Sequence, residues 1–342
     1  MAIDIFEVRS MLRQIEQMKA AQSFLRDMFF PEVNVSTTPK VDIDIVKGKR
    51  RVAPYVSPKL EGKVVARLGF STNTVEPPHV KPKMVTDAED LYKRQPGQTV
   101  YEGGLTPLQQ AGMQLGKDMR ELTDMIDRVE ELQAAEALRT GKVTISGEGV
   151  EMEVDFQMSA DHIVTLTSTA KWSDAGSDPL ANLRTWRRKI LQDSGMVPDV
   201  AVFGSSVIDT FLNHAKVQNL LNNRRIDLGF INPQALPNGV TYYGYINEVA
   251  LDVYGYDEWY LDSAGDEQPM LPANRILMGS TRARNVRHYG AIKDVEVGDF
   301  AVRRFPKSWT QKDPSQRFLM VISAPLMALH QVDAFMSIQP ID

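Results

Sequence analysis

The sequence contains no cysteine among its 342 residues. This absence excludes disulfide bonds, thiolate metal sites and cysteine nucleophiles, and it fits a reducing compartment. Long apolar runs are also missing. The longest uncharged run, FLMVISAPLMAL, has twelve residues and one proline, whereas a helix that spans a membrane needs about 20 apolar residues. The N-terminal MAIDIFEVRSMLRQIEQ carries charges from Asp4 onward and does not have the pattern of a signal peptide. We therefore expect no membrane partner.

Catalytic signatures are scarce as well. Ser205 and Ser206 follow Gly204 and a strand-like VAVF, an arrangement that suggests the nucleophile elbow of serine hydrolases. The second glycine of that motif is missing, and a serine at the start of a helix is usually a cap. We favour the capping role, and a serine hydrolase stays open as an alternative.

No group of side chains suggests a metal or cofactor site. Histidines are few and far apart, and neither H-E-x-x-H nor a phosphate-binding glycine motif is present; the histidines are His79, His162, His214, His288 and His330. His330 with Asp333 could form an acid-base pair, and Asp42 with Asp44 could bind a cation, but packed or solvated side chains are the simpler interpretation. The sequence thus predicts no enzyme, no catalytic residue, no cofactor and no metal.

A basic strip is the most unusual local feature. Residues 47–83 contain nine Lys and Arg against two acids, a charge of +7, and the remaining 30 basic and 42 acidic residues give −12. Clustered cations can neutralise phosphates, so a nucleic-acid-binding protein that uses this strip is the alternative function.

The strip also has a strand-like pattern. Apolar residues alternate with charged ones from Lys59 to Phe70, which predicts a half-buried strand, and STNT (71–74) predicts a turn. Pro77, Pro78 and Pro82 restrict the second arm to a sheet edge or to irregular extended chain. Because a two-stranded hairpin is marginally stable alone, this one should cover its own domain or reach a neighbouring subunit.

The strongest predicted element is a long helix. Thr106, Pro107 and Gln109 form a capping pattern, and Gly141 supplies the stop. Apolar residues recur at helical spacing between them, at Leu115, Met119, Leu122, Ile126 and Val129. We predict a helix of about 35 residues, or roughly 50 Å, that packs on a sheet rather than in a coiled coil.

The rest of the chain mixes helices and strands. Residues 1–30 read as a helical arm that ends at Pro31 and is either tucked into the core or lent to a partner. Further elements are predicted as a strand at 41–46, a hairpin at 143–156, helices at 180–193 and 205–222, a buried strand at 198–203, and many strands after 240. This order indicates the α+β class, because no regular βαβ repeat occurs.

Several segments resemble the lambda-type E family of major capsid proteins of tailed bacteriophages. They are APYVSP (53–58), VKPK (80–83), GKVT (141–144), MGSTRARNVRHYGAIKD (278–294), RFPKSWTQKDPSQRF (304–318), SAPLM (323–327) and DAFMSIQ (333–339). The resemblance covers most of the chain and is weakest from about 155 to 275. These motifs mark a structural family and include no catalytic signature.

The resemblance implies an HK-97-like capsid fold with the following division. Residues 1–51 would form an N-terminal arm and 52–104 an extended loop. Residues 105–179 would form the spine helix and the hairpin of the peripheral domain. Residues 180–330 would form the axial domain with interleaved peripheral strands, and 331–342 a C-terminal peripheral strand.

The implied function is that of a self-assembling head protein. Hexamers and pentamers would build an icosahedral shell that encloses double-stranded DNA without sequence-specific binding, in the virion and, during assembly, in the host cytoplasm. The implied partners are further copies of the chain, scaffold, maturation protease, portal and a decoration protein. The residues expected at the interface between subunits are Lys59, Glu61, Lys63, Arg67, Phe70, Lys81 and Lys83.

Overall fold

The structure is a computed structural model that describes residues 6–18, 23–45, 52–65, 69, 71–87, 107–221, 233–262, 264–295 and 298–342. It has the predicted α+β composition. The helices are α1 (Val8–Gln17), α2 (Phe24–Phe29), α3 (Pro107–Thr140), α4 (Pro179–Ser194), α5 (Ser205–Asn213) and α6 (Ala215–Leu221). Short 3-10 turns occur at Ala160–His162, Ser168–Ala170 and Val332–Ala334.

The strands lie mostly in the second half of the chain, as predicted. They are β1 (Glu32–Val35), β2 (Val41–Ile45), β3 (Ser71–Val75), β4 (Lys83–Asp87), β5 (Lys142–Gly147), β6 (Val150–Asp155), β7 (Ile163–Thr165), β8 (Val200–Phe203), β9 (Gln234–Ala235), β10 (Val240–Ile246), β11 (Leu251–Tyr256), β12 (Trp259–Leu261), β13 (Glu267–Pro269), β14 (Ile276–Gly279), β15 (Asn285–Tyr289), β16 (Ile292–Asp294), β17 (Gly298–Phe300), β18 (Phe305–Gln311), β19 (Gln316–Ile322), β20 (Pro325–Leu329) and β21 (Phe335–Gln339).

Helix α3 confirms the long helix that the sequence predicts. It has 34 residues, starts at Pro107 and ends before Gly141; Thr106 lies outside the described residues. The predicted apolar face is buried, with Val129 only half-buried. That face packs on Leu319 and Val321 of β19 and on Met11 of α1, so the sheet-packing interpretation is correct. The C-terminal half of α3 is enclosed on more sides and contacts β5, β20 and β21.

Gly141 ends α3 in a left-handed backbone conformation, which costs free energy for residues other than glycine. Its φ is +68°, its N–H bonds the carbonyl of Ala137 at 2.9 Å, and an added Cβ would lie 2.2 Å from Cβ of Met158. The chain therefore turns from the helix into β5 at a point where only glycine fits.

Replacing Gly141 with alanine is expected to lower the free energy of unfolding by more than the roughly 1–2 kcal/mol of a left-handed non-glycine residue, because the steric clash adds to that cost. Gly149 has a φ of +75° but open space around its Cβ position, so Gly149→Ala should show the backbone cost alone. Gly147→Ala has neither problem and serves as the control. Urea denaturation of the three variants tests this order; equal losses at 141 and 149 would contradict it.

Two sheets organise the rest of the fold. A seven-stranded mixed sheet has the order β7-β21-β14-β8-β11-β10-β9, with α4 and α5 packed over strands that are buried on both faces. A three-stranded antiparallel sheet, β18-β19-β4, covers the N-terminal half of α3. The C-terminal strand β21 lies in the larger sheet, between β7 and β14. The assignment of 331–342 to the peripheral domain stays a prediction; β21 shares its sheet with β8, β10 and β11.

Helix α2 ties the N-terminal arm to α3 through buried charges. Arg26, only 2% exposed, contacts Asp127 at 2.5 Å and Glu130 at 2.8 Å through Nη1. Arg304 also contacts Asp127. Leu25, Phe29 and Phe30 are buried in the main core. Of the two predicted arrangements, this part of the arm is tucked into its own core.

The carboxylate of Glu131 holds the start of α2. It accepts the backbone N–H groups of Leu25 and Arg26 at 2.8 and 2.9 Å and the hydroxyl of Tyr256 at 2.8 Å. Burial raises the pKa of Glu131, and these three donors oppose the rise. A carboxylate of α3 thus accepts the backbone N–H groups at the start of α2, which have no acceptor within their own helix.

The predicted helix at 205–222 is divided in two. His214 has an extended backbone between α5 and α6, and its Nδ1 accepts the N–H of Lys216 at 3.3 Å. A side chain that caps a second helix in this way explains the break, because the backbone donors at the start of α6 need acceptors.

Candidate inter-subunit surface

The structure contradicts the hairpin predicted at 59–83, because other residues form the strand pair. STNT does not form a turn; it is part of β3, which pairs antiparallel with β2 from Val41 opposite Val75 to Ile45 opposite Ser71. Residues 59–65 and 69 form no strand. The stem is therefore β2 with β3, and residues 46–70 connect these two strands.

Side chains explain why the stem forms there. Ile43 and Ile45 are buried, and on the opposite face the hydroxyls of Thr72 and Thr74 donate to Asp44 and Asp42 at 2.6 Å. These carboxylates lie on an exposed face, as expected, and bond threonine. Cross-strand pairs of this kind favour the pairing that is found. Residues 59–65 and 69 have no such partner among the described residues.

Of these connecting residues the structure describes 52–65 and 69. Residues 52–65 are called the strap. Its side chains are exposed throughout, including apolar ones: Val52 is 90% exposed, Tyr55 103% and Val64 93%. The position of a Cβ on Gly62 has no atom within 4 Å. An exposed segment with several apolar side chains in water is typical of a binding surface.

The predicted interface residues fall into three groups. Lys59, Glu61 and Lys63 lie on the strap and are exposed. Lys81 and Lys83 lie beyond the stem, on chain that returns to the body; Lys83 is in β4, with Nζ 5.1 Å from the ring centre of Phe318. Arg67 and Phe70 lie outside the described residues. The proline-bearing segment 76–82 is irregular extended chain, as predicted, and Val80 forms an isolated bridge with Ser323.

Two histidines hold the base of the stem, a feature that the sequence did not predict. Nδ1 of His330 bonds the carbonyl of Asp44 at 2.6 Å, and Nε2 of His330 lies 3.2 Å from Nε2 of His288. Nδ1 of His288 lies 3.5 Å from the amide nitrogen of Asn34. If Nδ1 of His330 donates to the carbonyl, His288 donates to His330 and accepts from Asn34, so every ring nitrogen has one role with both rings neutral. Burial, with smaller effects of His330 and Arg284, lowers the pKa of His288 to about 4.

The structure places the candidate catalytic groups apart. Ser205 is the first residue of α5, but its cap is Gly204 and no side-chain cap bond forms, so the predicted capping role is wrong. Within the described residues neither Ser205 nor Ser206 bonds a histidine, and no cluster of three or more His, Asp or Glu could hold a metal. His330 bonds Asp44 and His288 rather than Asp333. No helix in the described part of the chain is long and apolar enough to cross a membrane.

Comparison with known proteins identifies the family. The sequence family described as phage major capsid protein E matches residues 7–339. This protein belongs to the phage major capsid protein E family. It is 32% identical to the major capsid protein of Escherichia phage lambda over 92% of this chain and 93% of that protein. It is 30% identical to the major capsid protein of Enterobacteria phage P21 over 98% of this chain and 99% of that protein.

Solved structures confirm the fold. A prophage capsid protein from Escherichia coli CFT073 aligns with a TM-score of 0.73 at 20% identity, over 97% of this chain and 98% of that one. A phage-related protein from Bordetella bronchiseptica RB50 aligns with a TM-score of 0.56 at 12% identity, over 96% and 95%. The fold is the HK-97-like capsid fold. The protein is a major capsid protein of the tailed-phage type, a structural component of the virion that associates with itself, and these similarities do not support the nucleic-acid-binding alternative.

Proposed function

We propose that the strap lies across an adjacent copy of the chain and holds neighbouring subunits together in hexamers and pentamers of the shell. The observation that carries this proposal is the exposure of Val52, Tyr55, Leu60 and Val64, which find no cover in their own subunit. Burying a valine or leucine side chain contributes roughly 1.5–3 kcal/mol, so covering the strap would contribute substantially to each contact.

Charge supports the same arrangement. The strip at 47–83 carries +7 and the rest of the chain −12, so a basic loop on one subunit meets an acidic body on the next when subunits repeat head to tail around a ring. In this proposal α3, the β5-β6 hairpin and the β4-β18-β19 sheet form the peripheral domain. The seven-stranded sheet with α4, α5 and α6 forms the axial domain.

The shell would assemble in the host cytoplasm with scaffold, maturation protease and portal, enclose double-stranded DNA and bind a decoration protein. The mild net acidity of the chain, −5, suits a container that must not adhere to the DNA inside it. The family supplies a structural role, and we propose no enzymatic activity.

Replacing residues 52–65 with a Gly/Ser linker of equal length should leave a folded subunit that forms no closed shells. The replacement spares β2 and β3, which a deletion of 59–83 would disrupt. The protein would be expressed with its neighbouring head genes and shells counted by electron microscopy, with the melting temperature of unassembled subunits as the folding test.

A matched control carries serine at Leu261 and Val295, which are 67% and 103% exposed and lie outside the strap. This variant should assemble normally. Normal shells from the strap replacement would show that the strap does not hold subunits together.

A further inference from the structure

A cavity of about 160 Å³ opens between the N-terminal half of α3 and the β4-β18-β19 sheet. Ala111, Leu115 and Leu319 supply apolar wall, and Gln114 and Asp118 supply polar groups. An apolar cavity of about 150 Å³ holds a molecule the size of benzene, so this one has room for a long side chain.

Asp118 is a buried acid in the wall of this cavity. It is 7% exposed, and its carboxylate accepts the side-chain amide of Gln114 at 2.6 Å. No basic side chain among the described residues lies within 4.0 Å of that carboxylate. Arg317 lines the same cavity, but its guanidinium stacks 3.5 Å from the ring centre of Phe6. Burial raises the pKa of Asp118 and the charge of Glu121 adds to the rise, whereas the hydrogen bond from Gln114 and the charge of Lys117 oppose it.

A buried carboxylate that has no directly bonded cation among the described residues is costly, and a cation that enters the cavity would reduce that cost. The strap carries such cations. Lys63 is exposed and has no ion pair within the described residues. Gly62 before it lets the backbone come close to another surface, and Val64 after it, 93% exposed, can cover an apolar rim.

We propose that the cavity at Asp118 is the receptor for the Lys63 side chain of a neighbouring copy of this chain. The four methylene groups would lie along Leu115 and Leu319, and the ammonium would bond the carboxylate of Asp118. Such a pair combines an apolar stem with a charge-assisted hydrogen bond, and it also specifies where along the neighbour the strap is fixed. This inference rests on the proposed function of the strap.

A double-mutant cycle in shell assembly tests the pair. Asp118→Asn and Lys63→Gln keep size and remove charge, and each should lower the ratio of assembled to free protein roughly tenfold or more, the lower range for close charge pairs across interfaces. The double variant should be no worse than the poorer single variant, because neither unpaired charge remains. Lys63→Arg should keep most of the assembly. Glu121→Gln, an exposed acid on the same helix, and Lys312→Gln, an exposed lysine outside the strap, are the matched controls and should show little loss.

Free Asp118→Asn subunits should melt at or above the temperature of the unsubstituted protein, because the isolated buried charge is gone. This result separates weak assembly from poor folding. Wild-type assembly by Asp118→Asn, or losses that multiply in the double variant, would overturn the inference. If assembly still fails when the strap is replaced, the proposed function stands and only the receptor is wrong. If neither change affects assembly, both are wrong.

Discussion

Replacing Arg26 with alanine is expected to lower the free energy of unfolding of the free subunit by about 3–5 kcal/mol, the usual cost of removing one member of a buried ion pair. The carboxylates of Asp127 and Glu130, which are 2% and 0% exposed, would each lose a directly bonded cation. Burial alone would lower the pKa of Arg26, yet these two acids outweigh it and raise the pKa, so the guanidinium is charged at any pH of interest.

Two further variants separate the buried charges from the other contacts of Arg26. Asp27 also contacts Arg26, at 3.0 Å, but it is 45% exposed. Asp27→Asn should cost at most about 1 kcal/mol. Arg26→Met combined with Glu130→Gln should recover part of the loss, because fewer unpaired charges stay buried. Denaturant unfolding measures all three. A loss below about 1 kcal/mol for Arg26→Ala would mean that Arg304 alone neutralises Asp127.

The parts of the fold that sequence predicts well depend on neighbours along the chain. Pro107, the apolar repeat of α3 and Gly141 act within a few residues of each other, and both ends of the helix followed from them. The β5-β6 hairpin was predicted for the same reason. Resemblance to a known family supplied the fold, because its motifs recur along most of the chain.

The strap stem shows where such reasoning fails. Alternation at 59–70 satisfied the local rule for a strand, but a strand needs a partner with free backbone groups and a surface for its apolar face. VDIDI at 41–45 pairs instead with STNTV at 71–75, across 25 intervening residues whose number no local rule fixes. The sequence pattern favours a turn at Thr72 and Thr74, but in β3 these residues bond Asp44 and Asp42.

The candidate receptor left a weak signal in the sequence. Asp118 comes three residues after Leu115 and four before Leu122, so helical periodicity alone places an acid on the buried face of α3. The histidine pair left none, since 42 residues separate His288 from His330 and 286 separate His330 from Asp44. Only the packing of β1, β15, β20 and β2 brings these groups together.

Lowering the pH should weaken the histidine contacts at the base of the β2-β3 stem. The pKa of His288 is about 4 in the folded chain and 6.5 as its ordinary value. A histidine whose pKa is lower in the folded chain takes up a proton on unfolding when the pH lies between the two pKa values. Its contribution to the free energy of unfolding is therefore constant above pH 6.5 and falls as the pH drops toward 4. The loss over that window is at most about 3 kcal/mol, at 1.36 kcal/mol per pKa unit.

His288→Asn isolates this contribution from the other titrating groups. The groups that face His288 are Asn34, His330 and Arg284, and Arg284 in turn pairs with Glu32 at 3.5 Å. At pH 7.5 the variant should be less stable than the unsubstituted subunit, and the gap should shrink as the pH falls to 4.5, because only the histidine binds an added proton on unfolding. A gap that stays constant with pH would show that His288 does not titrate in this window.

Amide hydrogen exchange would show where the acid acts. Protonation of His288 at Nδ1 leaves that nitrogen as a donor that faces the side-chain amide nitrogen of Asn34 at 3.5 Å, so the contacts among Asn34, His288 and His330 must rearrange. Since His330 also bonds the carbonyl of Asp44, exchange should rise first in β2 and β3, below pH 5, while α3 stays protected. The β2-β3 stem, from which the strap extends, would then open before the subunit as a whole unfolds.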